Sequence, residues 1–192
     1  MELFKRKKPK RLKYILILVV SLFVIVILLD NTSRIMFPVK YKEYVSTYSG
    51  KYNLDPFLVL AIIKVESKFD PDAVSHKNAR GLMQISLKTG QWGADVLKLD
   101  GYDGNSLYDP ETNISIGCWY LNVLAEEFDG NTDLILAAYN GGSGNVREWL
   151  KNKAYSSTGK SLDKVPFRET DNYIKKVTNY RSIYKKLYEN MF

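Results

Sequence analysis

The sequence predicts an all-α, or nearly all-α, fold: one N-terminal transmembrane helix followed by a single helical domain. Three observations carry this. Residues 14–29 are apolar, interrupted only by Ser21. Two Asp-Pro pairs, Asp55-Pro56 and Asp109-Pro110, each open a run of apolar residues at helical spacing, joining an N-cap to the residue that suits the first turn. No segment alternates apolar and polar residues over a strand's length, and no internal repeat occurs.

The N-terminus places the chain at a membrane. Lys5, Arg6, Lys7, Lys8, Lys10, Arg11 and Lys13 precede the apolar run. As a helix those 16 residues span about 24 Å, slightly short of the roughly 30 Å hydrocarbon core. Snorkelling by Lys13 and the polar flank at Asp30-Asn31 make up the difference. A cleaved signal peptide and a buried core helix are the competing readings. Cleavage is disfavoured because Asp30-Asn31-Thr32-Ser33-Arg34 contains no small-x-small site, and the sole cysteine, Cys118, rules out a lipoprotein signal. The positive-inside rule then gives residues 1–13 as a basic cytoplasmic segment, 14–29 as a single-pass anchor, 30–39 as a tether and 40–192 as an extracytoplasmic domain. A fully extended tether would reach about 35 Å.

Charge and composition narrow the function. Residues 1–29 hold seven Lys/Arg and one acid, Glu2, leaving 21 basic and 20 acidic residues for the remainder. The formal charge of +7 therefore reports topology, and nucleic acid is not an expected partner. A solitary Cys118 and a solitary His76 argue against a disulfide framework, a Ser-His-Asp triad and a His-cluster metal site. No metal or cofactor is expected.

Along the domain, Tyr41, Tyr44, Val45 and Tyr48 have helical spacing, with Gly50 as a stop. Asp55 caps a helix to Lys68 carrying Leu58, Val59, Ile62, Ile63 and Val65. Residues 86–99 form a helix weakened by Gly90 and Gly93. Asp109 caps a long helix with Ile114, Ile116, Trp119, Tyr120, Val123, Leu124 and Phe128, read as the central core helix. Thr132 or Asp133 caps a shorter one ending at Asn140-Gly141-Gly142, and another runs from about Gly144 to Lys151. Residues 151–166 read as a polar loop. Thr170 caps a final helix carrying Tyr173, Ile174, Val177, Tyr180, Ile183, Tyr184 and Leu187.

Glu66 stands out within this pattern. It follows Val59, Ile62 and Ile63 by seven, four and three residues, so its side chain falls on their apolar stripe. Desolvation and the negative end of the helix dipole both disfavour a charged carboxylate there. Its pKa is expected to rise to about 6, the range of a general acid. A solvated or salt-bridged glutamate at a frayed helix end is the alternative.

Other short motifs are individually ambiguous. Gly81-Leu82-Met83-Gln84-Ile85 reads either as a turn glycine before core residues, or as a glycine approaching a ligand beside an amide that can donate and accept. Ala138-Tyr139-Asn140-Gly141-Gly142-Ser143-Gly144 reads as a glycine C-cap, or as a cleft wall with an aromatic hydroxyl and an amide. Glu169-Thr170-x-x-Tyr173-Ile174 reads as a cap before core residues. Taken in order with Glu66-Ser67-x-Phe69, Ser75 and Asp109-Pro110-x-x-Asn113-Ile114-x-x-Gly117-x-x-Tyr120-Leu121, these blocks resemble the soluble lytic transglycosylase family. The resemblance covers roughly Tyr41 to Tyr188.

The resemblance implies a goose-type lysozyme-like catalytic domain. It also implies cleavage of the β-1,4 bond between N-acetylmuramic acid and N-acetylglucosamine in peptidoglycan, leaving 1,6-anhydro ends. Glu66 matches the family's sole acid/base. Ser75 matches a serine bonding near the catalytic carboxyl, Gln84 a sugar-binding glutamine, Tyr139 and Asn140 a cleft-lining pair, and Tyr173 the tyrosine reaching the glutamate from the last helix. The departure from the family's pattern comes after Gln84, where Ser86-Leu87 and Thr89-Gly90 replace the usual methionine-proline and threonine-alanine. Asp70, Asp72, Asp109 and Glu169 are the acids near the motifs, with Asp109 reading as a cap and Asp70-Pro71 as a turn. A hydrolytic muramidase and a non-catalytic peptidoglycan-binding protein are the alternatives. Cell-envelope machinery is a possible further partner.

Overall fold

The computed structural model describes residues 10–192, so the expected basic cluster at residues 5–8 lies outside the described residues. Two units are separated, residues 1–38 and 39–192. In the first, helix α1 spans Lys10–Met36, and from Lys13 onward it is 24 residues long with none of its apolar window buried. That length is enough to cross a membrane. The expected tether at 30–39 is corrected as far as Met36, because these residues continue the helix. They do so by satisfying their polar groups locally: Thr32 and Ser33 donate to the Leu28 and Leu29 carbonyls, and Arg34 pairs with Asp30 one turn away.

The second unit is helical throughout: α2 (Lys42–Lys51), α3 (Pro56–Glu66), α4 (Leu87–Leu97), α5 (Pro110–Glu127), α6 (Thr132–Gly141), α7 (Ser143–Lys151) and α8 (Arg168–Tyr188). A 3-10 turn at Gly104–Tyr108 was not foreseen. No strand is present among the described residues, and the only extended pairings are isolated bridges of Arg80 with Val74 and Ile85.

The two Asp-Pro starts behave as their chemistry requires. Asp55 accepts the Phe57 N–H at 2.9 Å and Asp109 the Thr112 N–H at 2.8 Å. Ser86 caps α4 through the Thr89 N–H. Two caps differ from expectation. Asn131, one residue before Thr132, accepts the N–H groups of Asp133 and Leu134, since an Asn ahead of the helix reaches both orphan donors. Thr170 lies inside α8, which starts at Arg168 without a side-chain cap.

The core has two central helices where one was expected. Phe57 to Ile63 are all buried in α3, so that helix is apolar around its whole circumference and enclosed. It packs on α2 and α8, while α5 packs on α2, α4 and α6. Each fully buried Leu or Ile stabilises the fold by about 1.5–3 kcal/mol. This enclosure fixes the C-terminal end of α3, where Glu66 stands.

Candidate active site

Glu66 is the last residue of α3 and is half-buried. The chain turns sharply just beyond it. Ser67 Oγ donates to the Ile63 carbonyl and accepts the Phe69 N–H, and Lys68 and Phe69 both take left-handed backbone conformations. Each costs on the order of 1 kcal/mol, offset by sinking the Phe69 ring into the core at 2% exposure.

Helix α8 presents three side chains to this carboxyl. Glu169, Tyr173 and Lys176 are spaced four and three residues apart, hence on one helix face. Burial raises the Glu66 pKa to about 7; Tyr173 opposes the rise, Glu169 adds to it and Lys176 counters it. The rise is somewhat larger than the sequence suggested. Tyr173 is 6% exposed, and its hydroxyl reaches no partner with standard hydrogen-bond geometry. Burial and the Glu66 charge push its own pKa well up. It therefore remains a proton donor at neutral pH.

Tyr139 is the second phenol influenced by Glu66, and its pKa is likewise raised by burial first. Its hydroxyl donates to the Met83 carbonyl at 2.8 Å, locking the ring into the wall of a cleft of about 270 Å³ that Gln84, Thr89, Tyr120, Asn140 and Gly142 also line. Gln84 differs from expectation. Its amide N–H groups donate to the Ala73 and Gly81 carbonyls, so only Oε1 remains for a ligand, as an acceptor. Asn140 is the complement: its Oδ1 accepts the Thr170 hydroxyl at 2.8 Å, leaving its N–H groups as donors. An acceptor and a donor thus line one cleft.

Ser75 is not brought to Glu66 by a hydrogen bond. Its Oγ accepts the N–H groups of Lys77 and Ala79 and so shapes the turn at 75–79. Gly81 also serves the fold more than a ligand: a Cβ there would stand 2.1 Å from the Leu107 carbonyl and 2.3 Å from Asn113 Nδ2, and its φ is +73°.

Asn113 is a motif residue to which the sequence reading gave no role. It is wholly buried and makes three hydrogen bonds, Nδ2 to the Arg80 and Leu107 carbonyls and Oδ1 from the Met83 N–H. It pins the loop that carries Met83 and Gln84. The available signal was a polar residue on the apolar face of α5. Gly117 on the same helix makes room for Met83, whose Sδ would lie 2.3 Å from an added Cβ.

A second cavity of about 470 Å³ shares Asn140 and Gly141 with the cleft and is walled by Lys77, Phe167, Arg168 and Glu169. A further cavity, about 660 Å³, is lined by Asp133, Asp163, Asp171 and Lys175 and contains none of the expected site residues. Among the described residues no cluster of three or more His, Cys, Asp or Glu is arranged to hold a metal.

A buried carboxyl held near neutrality and coupled to two buried phenols invites comparison with known proteins. A family model described as "Transglycosylase SLT domain" matches residues 43–161, more than half of the chain. The chain belongs to this family. Its SLT domain is 35% identical over 151 residues to the soluble lytic murein transglycosylase of Escherichia coli (strain K12), covering 78% of this chain and 23% of that protein. It is 34% identical over 168 residues to the membrane-bound lytic murein transglycosylase C of Actinobacillus pleuropneumoniae serotype 5b (strain L20), covering 76% of this chain and 46% of that protein. The SLT fold is also shared with the lytic transglycosylase Slt of Pseudomonas aeruginosa, solved as an inactive Glu-to-Gln mutant, with a TM-score of 0.70 and 30% identity over 80% of this chain and 25% of that one. The chain thus spans less than half the length of these relatives.

Proposed function

We propose that this chain is a peptidoglycan lytic transglycosylase that cleaves the β-1,4 bond between N-acetylmuramic acid and N-acetylglucosamine. The observation that carries the reading is Glu66: its pKa lies near 7 through burial, and its charge acts on Tyr139, a phenol in the wall of the cleft that Gln84 and Asn140 also line. A carboxyl poised at that value holds a proton to give and becomes a base once it has given it.

In the proposed reaction Glu66 donates its proton to the glycosidic oxygen, and the bond from that oxygen to the anomeric carbon breaks. The Glu66 carboxylate then takes the proton of the muramic acid C6 hydroxyl, whose oxygen bonds to the anomeric carbon. The product carries a 1,6-anhydro ring and no water is consumed. The substrate's own N-acetyl group stabilises the oxocarbenium-like centre, which is how one carboxylate suffices. Tyr173 donates toward the carboxylate as it forms. The Gln84 acceptor and the Asn140 donor match the N–H and C=O of an acetamido group. The names of the relatives support the substrate class.

We further assign α1 as a single-pass membrane anchor with the basic N-terminal segment in the cytoplasm and the SLT domain outside. Its 24-residue span from Lys13 to Met36, which contains the apolar run 14–29, and the basic residues preceding it support this. The partners are then peptidoglycan strands near the membrane and the envelope machinery that supplies them.

Mass spectrometry of peptidoglycan digested by the unsubstituted chain and by Glu66→Gln tests the reading. Fragments lighter by one water than reducing-end products, absent with Glu66→Gln, are expected. Reducing-end products would make the enzyme a hydrolytic muramidase, and turnover surviving Glu66→Gln would remove Glu66 from the chemistry.

A further inference from the structure

We infer that Trp92 forms a distal stacking subsite for the glycan strand, extending the cleft along α4 beyond Tyr120. This rests on the reading of the cleft as a glycan site. Trp92 is 47% exposed although indole is among the most apolar side chains. It follows Thr89, which lines the cleft, by three residues on the same face of α4. Val96, 51% exposed, continues that apolar stripe by one more turn. The exposed strip is therefore continuous with the cleft wall.

An aromatic path connects it to the catalytic end. The rings of Tyr139 and Tyr120 are 5.8 Å apart, and those of Tyr120 and Trp92 6.4 Å apart. Trp92 also meets Trp119 nearly perpendicularly at 4.7 Å. Trp119 is buried in α5, so the indole of Trp92 is held in place before any ligand arrives. Packing on Trp119 alone would not require an indole standing half in solvent. A β-1,4-linked pyranose has an apolar face of axial C–H bonds, which packs on the electron-rich face of an aromatic ring while the hydroxyl groups stay in water. A half-exposed aromatic packed on a buried ring and linked to Tyr139 by ring contacts of 5.8 and 6.4 Å fits such a strand.

The test uses the detergent-solubilised full chain carrying Glu66→Gln, so that nothing is cleaved, titrated calorimetrically with chitooligosaccharides of increasing length. Affinity should rise with length, and adding Trp92→Ala should remove about five- to tenfold of that gain at the longest lengths. The shortest oligomers should bind both chains alike, which also reports an intact fold, and Trp92→Phe should keep most of the gain. An equal length dependence with and without Trp92 overturns the subsite. An equal loss at every length overturns it too, making Trp92 a packing residue. Failure of the lytic reading would appear separately, as the absence of anhydro products from the unsubstituted chain.

Discussion

The Tyr173 hydroxyl and the Glu66 carboxyl act on each other in opposite senses: the phenol draws the carboxyl pKa down, and the carboxylate pushes the phenol pKa up. A buried donor without another acceptor favours the ionised form of its neighbour. Tyr173→Phe should therefore raise the Glu66 pKa above 7 and slow the step that needs the carboxylate as a base. Loss of the phenol's electrostatic support for the carboxylate predicts a kcat lower by about tenfold. A pH–rate profile with its alkaline limb moved upward is the distinguishing readout; an unmoved limb would show that the two groups are uncoupled.

Glu66 also makes stability depend on pH. Its pKa rises from 4.5 unfolded to about 7 folded, so the folded state binds the proton more tightly. The stabilisation from this group is fully present below about pH 4.5 and is lost as pH rises through 7. Glu66→Gln removes this linkage. The variant should gain stability relative to the unsubstituted chain as pH goes from 4.5 to 8, by on the order of 1–3 kcal/mol, measured by denaturant unfolding. Over the same range, if Glu66 is the general acid proposed above, kcat/KM of the unsubstituted chain should fall above pH 7 as it loses its proton.

What the sequence revealed and what it hid follow from the range of each interaction. Asp55 and Asp109 were legible because a cap bonds within three residues of itself, and Glu66 because helical spacing alone put it on an apolar stripe. The role of Asn113, read only as part of a motif, was not, because its partners at Arg80 and Met83 are 33 and 30 residues away and no local pattern announces them. Thr170 misled for the same reason: a threonine near a helix start resembles a cap, and only the fold brings Asn140 within reach of its hydroxyl. Residues 30–39 were read as a tether, yet i→i−4 hydroxyl bonds let the polar residues Thr32 and Ser33 extend an apolar helix.

Asn113→Leu should be among the most destabilising substitutions in the domain. It keeps the branching of the side chain but leaves the Leu107 carbonyl and the Met83 N–H without the partner that satisfies them, while the Arg80 carbonyl keeps only the Ile85 N–H. Unsatisfied buried groups cost about 1–3 kcal/mol each, so a loss of at least about 2 kcal/mol is expected. Thermal unfolding of the unsubstituted chain and the variant measures it. A loss below about 1 kcal/mol would mean that the Met83–Gln84 loop holds itself, with no need of α5.

Gln84→Glu separates the two halves of the amide. The Nε2 donors to Ala73 and Gly81 are removed while an acceptor oxygen remains toward the cleft. At neutral pH the introduced carboxylate faces two carbonyl oxygens, and losing both bonds should cost about 2–4 kcal/mol and raise KM. Because repulsion raises the pKa of that carboxyl in the folded state, its proton is held more tightly when folded, so the deficit should shrink as pH falls toward 4. A protonated carboxyl restores one donor. If stability and KM were unchanged at pH 7, the Gln84 amide would not be holding the loop, and its N–H groups would be free for substrate after all.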